Sequence, residues 1–277
     1  MSTVAVAALL IASMLAVGTA ATVDDFRGLA ARRGLVVSAV VINVVLVPGL
    51  AVVLVTAAGL RPEVALGVLL AAAAPGGGTG ALLTLHARGD LAISAALQVL
   101  LAPIGLVAVP LWATVAGHEV IPSGTAGPLL IGGGLLGQVA PLAVGMWLRR
   151  SRPETAARAH RIARRVADVL LAGLVLYFVT TGVGRLPQVG WAAVAVIALL
   201  VIAALTPVAV AWLGGPAERR AVAMTTGVRN LTLGLFFADA ASPTVVLTVL
   251  AYGLIMYAVC VPAAFAARGW PARTRES

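Results

Sequence analysis

From Val189 to Leu213, and again from Val245 to Ala267, the chain carries no charged side chain. A helix needs about 20 apolar residues to cross a hydrocarbon core roughly 30 Å thick. Runs of that length recur along all 277 residues. A helix of a water-soluble core would show an apolar stripe and a polar face, but these segments are apolar all round. With 61% hydrophobic and 10% charged residues, the expected fold is an all-α polytopic membrane protein. The runs read as about nine transmembrane helices: Val4 to Ala21, Leu35 to Ala57, Pro62 to His86, Leu91 to Val115, Ala126 to Leu148, Val166 to Val183, Val189 to Leu213, Ala221 to Ala238 and Val245 to Ala267.

Basic residues concentrate in cytoplasmic loops. All nineteen basic residues are arginines. With the N-terminus outside, the inner loops collect sixteen of them: Arg27, Arg32 and Arg33, then Arg88, the seven from Arg149 to Arg165, Arg219 and Arg220, and the three from Arg268 to Arg275. The outer loops receive Arg61 and Arg185, and Arg229 lies within a span. The expected location is therefore the cell (inner) membrane, multi-pass, with the N-terminus outside and the C-terminus cytoplasmic. A signal peptide cleaved near Gly18-Thr19-Ala20-Ala21 would invert this bias, and the first run lacks a basic leading region. Membrane topology also accounts for the net charge of +9 without a nucleic-acid partner. Trp112 and Trp191 fall near outer span ends and Trp147, Trp212 and Trp270 near inner ones, as interfacial anchors do. Residues 149–165 form the one long hydrophilic connection and read as a cytoplasmic linker. It divides a single transmembrane domain into a first half, about residues 1–148, and a second half, 166–277. Cys260 lies inside the last apolar run, where its default role is packing.

Two spans are interrupted, at Pro75-Gly76-Gly77-Gly78 and at Gly227-Val228-Arg229-Asn230. The pieces flanking the first, Pro62 to Ala74 and Thr79 to Arg88, reach roughly 18 and 15 Å at 1.5 Å per residue. Neither crosses the hydrocarbon alone, so the break falls near mid-membrane. Unwound backbone in lipid leaves polar groups without partners and persists only where it lines a cavity or binds a solute. By the loop count the two broken spans run in opposite directions. This is the pattern of an inverted repeat whose two crossed discontinuous helices build a site at the bilayer centre. Glycine runs also serve close helix packing. The proline before the glycines, and the second break with its arginine, favour a site. Helix N-termini facing a gap favour an anion.

Arg229 is the most expensive residue in the chain, since a central arginine costs about 2.5 to 3.5 kcal/mol on insertion scales. No acid lies mid-membrane to pair with it; Asp90, Asp168 and Asp239 are near span ends. Backbone carbonyls or an anionic substrate must then satisfy the guanidinium, whose fork suits a carboxylate, sulfonate or phosphate. Gly76, Gly77, Gly78, Thr79, Arg229 and Asn230 are the expected substrate-binding residues. Asn43, Ser94, Gln98, Thr225, Gln138 and Thr226 are further polar groups inside spans, where hydrogen bonds between helices are the commoner role. No nucleophile elbow, phosphate loop or zinc motif is present, and no acid–base pair sits mid-membrane. An enzyme, a metal site and a resident cofactor are not expected.

Several short motifs occur in order along the chain: Thr22-Val23-Asp24-Asp25-Phe26 before a span, Pro75-Gly76-Gly77, Gly89-Asp90-Leu91-Ala92-Ile93-Ser94, and Gly227-Val228-Arg229-Asn230. Together they resemble the bile acid:sodium symporter family over nearly the whole length. The resemblance implies a core domain, spans two to four and seven to nine, moving against a panel domain of spans one, five and six. The family's sodium ligands carry over poorly. Gly80 and Ala81 stand where the family has a Ser-Asn pair, Thr225 where it has a glutamate, and Arg229 where it has a glutamine. Ser94 is retained, while Gln98 replaces a usual threonine and Asn43 a usual glutamine. Asn43, Ser94, Gln98 and Thr225 are thus remnants of an ion site, and sodium coupling is in doubt.

The expected function is secondary transport of a small organic anion by alternating access, within membrane lipid. Two alternatives remain open: a sodium-coupled symporter with a rebuilt ion site, and a membrane sensor that keeps the fold without transporting.

Overall fold

The computed structural model describes residues 3–118, 132–181, 184 and 186–269. The described residues form helices and the turns and unwound stretches between them, without strands. Helix α1 (Thr3–Ala20) is followed by the short α2 (Val23–Ala30), set by a capping box in which Thr22 and Asp25 satisfy each other's backbone N–H. The two axes meet at 82°. Span two is α3 (Arg33–Ala57), widened into a π turn at Ile42–Leu46. Span three is split into α4 (Pro62–Ala72) and α5 (Gly80–His86). Next come α6 (Leu91–Val115), α7 (Ala140–Ser151) preceded by a second π turn at Leu135–Val139, and α8 (Pro153–Thr181). After a single turn at Leu186–Val189 follow α9 (Trp191–Ala204), α10 (Pro216–Gly227), α11 (Leu231–Asp239) and α12 (Pro243–Ala266).

Local chemistry sets these ends. Pro62, Pro216 and Pro243 occupy the first helical turn, where the missing N–H costs nothing. Asp90 and Ser242 cap α6 and α12 by accepting from Ile93 N and Val245 N. Among the described residues, five helical stretches are long and apolar enough to cross a membrane, Arg33–Ala57, Leu91–Val115, Trp191–Ala209, Pro216–Asp239 (α10 and α11 taken together) and Pro243–Ala266, or six if α1 and α2 form one bent span. Span three is divided into pieces too short to be counted. Residues 126–131 of span five and 182–183 of span six lie outside the described residues, as do Arg185, Trp270, Arg273 and Arg275.

The structure corrects one expectation. Residues 149–165 are not a loop: α7 runs to Ser151 and α8 starts at Pro153. The segment is rich in alanine and arginine, both strong helix formers, so residues 153–165 continue into span six as one helix, Pro153–Thr181, of about 43 Å. Trp112 is half-buried, and its Nε1 donates to the Val44 carbonyl, 2.7 Å away, on the π turn of α3. Trp147, Trp191 and Trp212 are exposed.

Two packing groups result. Helices α1, α7 and α8 pack on one another. The larger group buries one continuous apolar core drawn from α3, α4, α6, α9, α11 and α12. Here α4 has buried side chains from Val64 to Ala72, enclosed by α12, α11 and α3.

Candidate functional site

The two breaks touch. After Ala72 the chain unwinds, and Gly76 takes φ +81°, a conformation side-chain-bearing residues rarely adopt. At Gly77 a Cβ would lie 2.4 Å from the Arg229 carbonyl oxygen, so only glycine lets the two backbones approach. Asn230 N donates to the Ala74 carbonyl at 2.8 Å, joining one break to the other. In the second break Val228 is extended, and Leu231 N donates to Arg229 O at 2.9 Å, closing a γ-type turn around Asn230. Asn230 then caps α11, its Oδ1 accepting from Leu233 N at 3.1 Å. Its Nδ2 is buried with no partner among the described residues.

Helix α5 is only seven residues long, too short to be stable by itself, and its neighbours hold both ends. With its amide oriented to suit its surroundings, Gln98 of α6 accepts from Ala81 N (2.8 Å) and donates to Gly78 O (3.3 Å). At the other end Arg268 Nε donates to His86 O at 2.6 Å. Thr79 stands before α5 without capping it, its hydroxyl lying 2.8 Å from the Tyr257 hydroxyl instead.

Behind the breaks lies a buried polar cluster. The Ser94 hydroxyl is 2.9 Å from that of Thr225, 3.1 Å from that of Thr84 and 3.1 Å from the Gln98 amide. Asn43 Nδ2 donates to Thr226 Oγ1 and to Ala39 O, both at 2.9 Å. A π turn displaces carbonyls from the regular helical ladder. Two of these are taken up by distant side chains: Val44 by Trp112, and Asn43 by Arg229, whose Nη1 lies 3.4 Å away.

Arg229 is 1% exposed. Its Nε and Nη2 have no hydrogen-bond partner among the described residues. Its nearest electrostatic neighbours are the neutral Tyr252 and Cys260 of α12, and its backbone N–H meets the Met256 sulfur at 3.2 Å. The guanidinium is thus enclosed within the protein.

In front of the breaks is a cavity of about 590 Å³ between the two packing groups. Gly77, Gly78, Thr79, Gln98, Arg229, Asn230 and Tyr257 line it from the larger group; Ser13 and Val17 of α1 and His160, Arg164 and Asp168 of α8 line the opposite wall. Leu82, Leu85 and Leu91 add apolar surface. Of the ten expected site residues, Gly77, Gly78, Thr79, Gln98, Arg229 and Asn230 face this space. Gly76 lies just behind, against Gln98 O and Ala102 N. Asn43, Ser94 and Thr225 sit deeper in the polar clusters. Sequence reasoning missed Tyr257, which no pattern marks on its apolar helix. It also missed His160, Arg164 and Asp168, whose i, i+4 spacing is a signal only once the segment is known to be helical. Arg164 and Asp168 pair at 3.7 Å and are half-exposed. Among the described residues no three His, Cys, Asp or Glu side chains converge.

Broken apolar helices meeting beside a cavity between two helix groups are the pattern of one class, that of polytopic membrane transporters. Within it the chain belongs to the Sodium Bile acid symporter family, whose model matches residues 7–209. No curated protein matches the chain.

Proposed function

We propose that the protein is a secondary carrier that moves a small organic anion by alternating access, without sodium coupling. The contact of the two breaks at the wall of a 590 Å³ cavity carries this reading. The three-helix group of α1, α7 and α8 acts as the panel, and the larger group as the core that rocks against it. The two broken spans act as the inverted pair. The anion sits against Gly77, Gly78, Thr79 and Asn230, at the N-terminal ends of α5 and α11, where the helix dipoles are positive. Asn230 Nδ2 supplies a donor, and Thr79 and Tyr257 offer hydroxyls.

Arg229 works from behind. Its guanidinium is buried with the Asn43 carbonyl as partner, so it attracts the anion as a fixed charge. A unit charge acting over roughly 8 Å at an effective dielectric of about 20 is worth on the order of 2 kcal/mol. The oxygens of Ser94, Thr84, Thr225 and Gln98 hydrogen-bond one another. They present no carboxylate to a cation, and Arg229 brings a positive charge to the same region. Both features favour a sodium-independent carrier over a symporter with a rebuilt ion site.

The test is uptake into proteoliposomes of a panel of carboxylates and sulfonates, in sodium and in choline media. Saturable uptake of an anion in choline is expected. Uptake only in sodium would establish the symporter, and binding without translocation would establish a sensor.

A further inference from the structure

A second pocket, of about 340 Å³, opens between α1, α7 and α8 on the arginine-rich side of the three-helix group. Thr19, Ala20, Arg149, Ala157, His160 and Arg161 line it. Every titratable side chain on its wall is basic. Arg149 and Arg161 take part in no ion pair among the described residues, in contrast to Arg164 one turn further along α8. Glu154, the only acid between residues 149 and 167, does not line it. The arrangement is built from the helix faces. Ala157, His160 and Arg161 share one side of α8 by their i, i+3, i+4 spacing. The His160 ring is pinned to α1, with Nδ1 3.0 Å from the Ala16 carbonyl and 3.2 Å from the buried Thr19 hydroxyl. Since a carbonyl only accepts, Nδ1 carries the hydrogen, and Nε2 is left without a partner among the described residues.

We propose that this pocket holds the phosphate of an anionic phospholipid headgroup. Arginine forks match phosphate oxygens, and basic pockets between membrane helices take such headgroups. The surroundings point to a lipid rather than a free anion. Trp147 is 62% exposed two residues before Arg149, and Ile162, Val166 and Val169 form an exposed apolar stripe down α8 from Arg161. Exposed apolar side chains on two of the helices that form the pocket put it at a lipid-facing boundary, where headgroup phosphates lie. His160 lines both this pocket and the main cavity, so the bound headgroup sits one imidazole ring away from the carrier site.

The experiment is a thermal-shift and native mass-spectrometry titration of the purified full chain with phosphatidylglycerol, against phosphatidylcholine. Saturable stabilisation by phosphatidylglycerol alone is expected. The R149Q/R161Q variant should bind it about thirty-fold more weakly, two surface arginines being removed. R150Q/R158Q loses the same charge from exposed positions outside the pocket and should behave like the parent. Ala157→Glu keeps every arginine but puts a carboxylate on the exposed rim. It should abolish the phosphatidylglycerol shift while melting normally in phosphatidylcholine. Equal losses in the two arginine variants would mean diffuse surface charge and overturn the proposal. So would an unchanged shift in Ala157→Glu, or inorganic phosphate at millimolar concentration reproducing the stabilisation, which would mark a soluble-anion site.

Discussion

The two breaks solve one problem by different means. The first is made by backbone: Pro75 removes a donor, Gly76 adopts positive φ, and Gly77 vanishes to let a second chain pass. The half-helix it releases, α5, is capped from outside by Gln98 and Arg268. The second is made by side chains. Asn230 caps its own half-helix, and Arg229 fastens the turn to the π-widened α3. The first break should therefore fail by steric exclusion, all at once. The second should fail in parts, each with its own signature in stability and in binding.

The largest effect should come from Gly77. An added Cβ meets the Arg229 carbonyl at 2.4 Å, and neither backbone can yield without separating the breaks. Gly77→Ala should cost about 3 kcal/mol, the upper end of overpacking penalties, and Gly77→Leu should abolish anion binding. Gly78→Ala is the control, because its nearest neighbour is a Val17 methyl at 3.3 Å, on a side chain that can turn. Melting temperature and anion calorimetry on the three variants check this. Equal behaviour of Gly77→Ala and Gly78→Ala would show that the breaks do not depend on close approach.

This asymmetry also marks what the sequence could reveal. Pro75-Gly76-Gly77-Gly78 has no role in a continuous helix, so its position and its unwinding were legible. That the second break carries a costly arginine was legible too. Where the guanidinium points was not, because its partner, the Asn43 carbonyl, is freed only by a π turn that no residue pattern announces. The arginines of 149–165 suggest a loop by their charge, whereas arginine and alanine are both strong helix formers. Once that segment is a helix, His160, Arg164 and Asp168 fall on one face beside the cavity. Tyr257 carries no sequence signal at all, being one hydroxyl on an apolar span.

Arg229 and Asn230 should separate cleanly. Removing a buried charge that lacks a counter-ion is often stabilising. Arg229→Met should therefore raise stability by about 1 to 3 kcal/mol while weakening anion binding about thirty-fold. Lost stability together with unchanged binding would make the arginine a structural strut instead. Asn230→Ser keeps a good helix cap but loses the Nδ2 donor. Binding should fall about tenfold, the worth of one hydrogen bond in a desolvated site, with little change in melting. Asn230→Ala loses the cap as well and should cost about 1 kcal/mol more in stability. Parallel melts and calorimetric titrations distinguish the two contributions.

The smallest expected effect, none, bears hardest on the comparison. A sodium-coupled carrier sets a mobile cation where it offsets the substrate's negative charge. Here Thr225 offers only a hydroxyl, already engaged with Ser94, and the neighbouring break holds a cation that cannot leave. The second break would thus contain its own counter-charge, while the first supplies only backbone donors. Anion affinity measured in sodium and in choline should then agree, provided ionic strength is matched so that screening does not differ. In Arg229→Gln the fixed charge is gone, and pairing it with Thr225→Glu returns a carboxylate beside Ser94. Sodium dependence emerging in that double variant, and absent from the parent, would show that the arginine stands in for an ion. Strong sodium dependence in the parent would show that the two breaks share a cation site despite Arg229, and the side-chain account of the second break would fall.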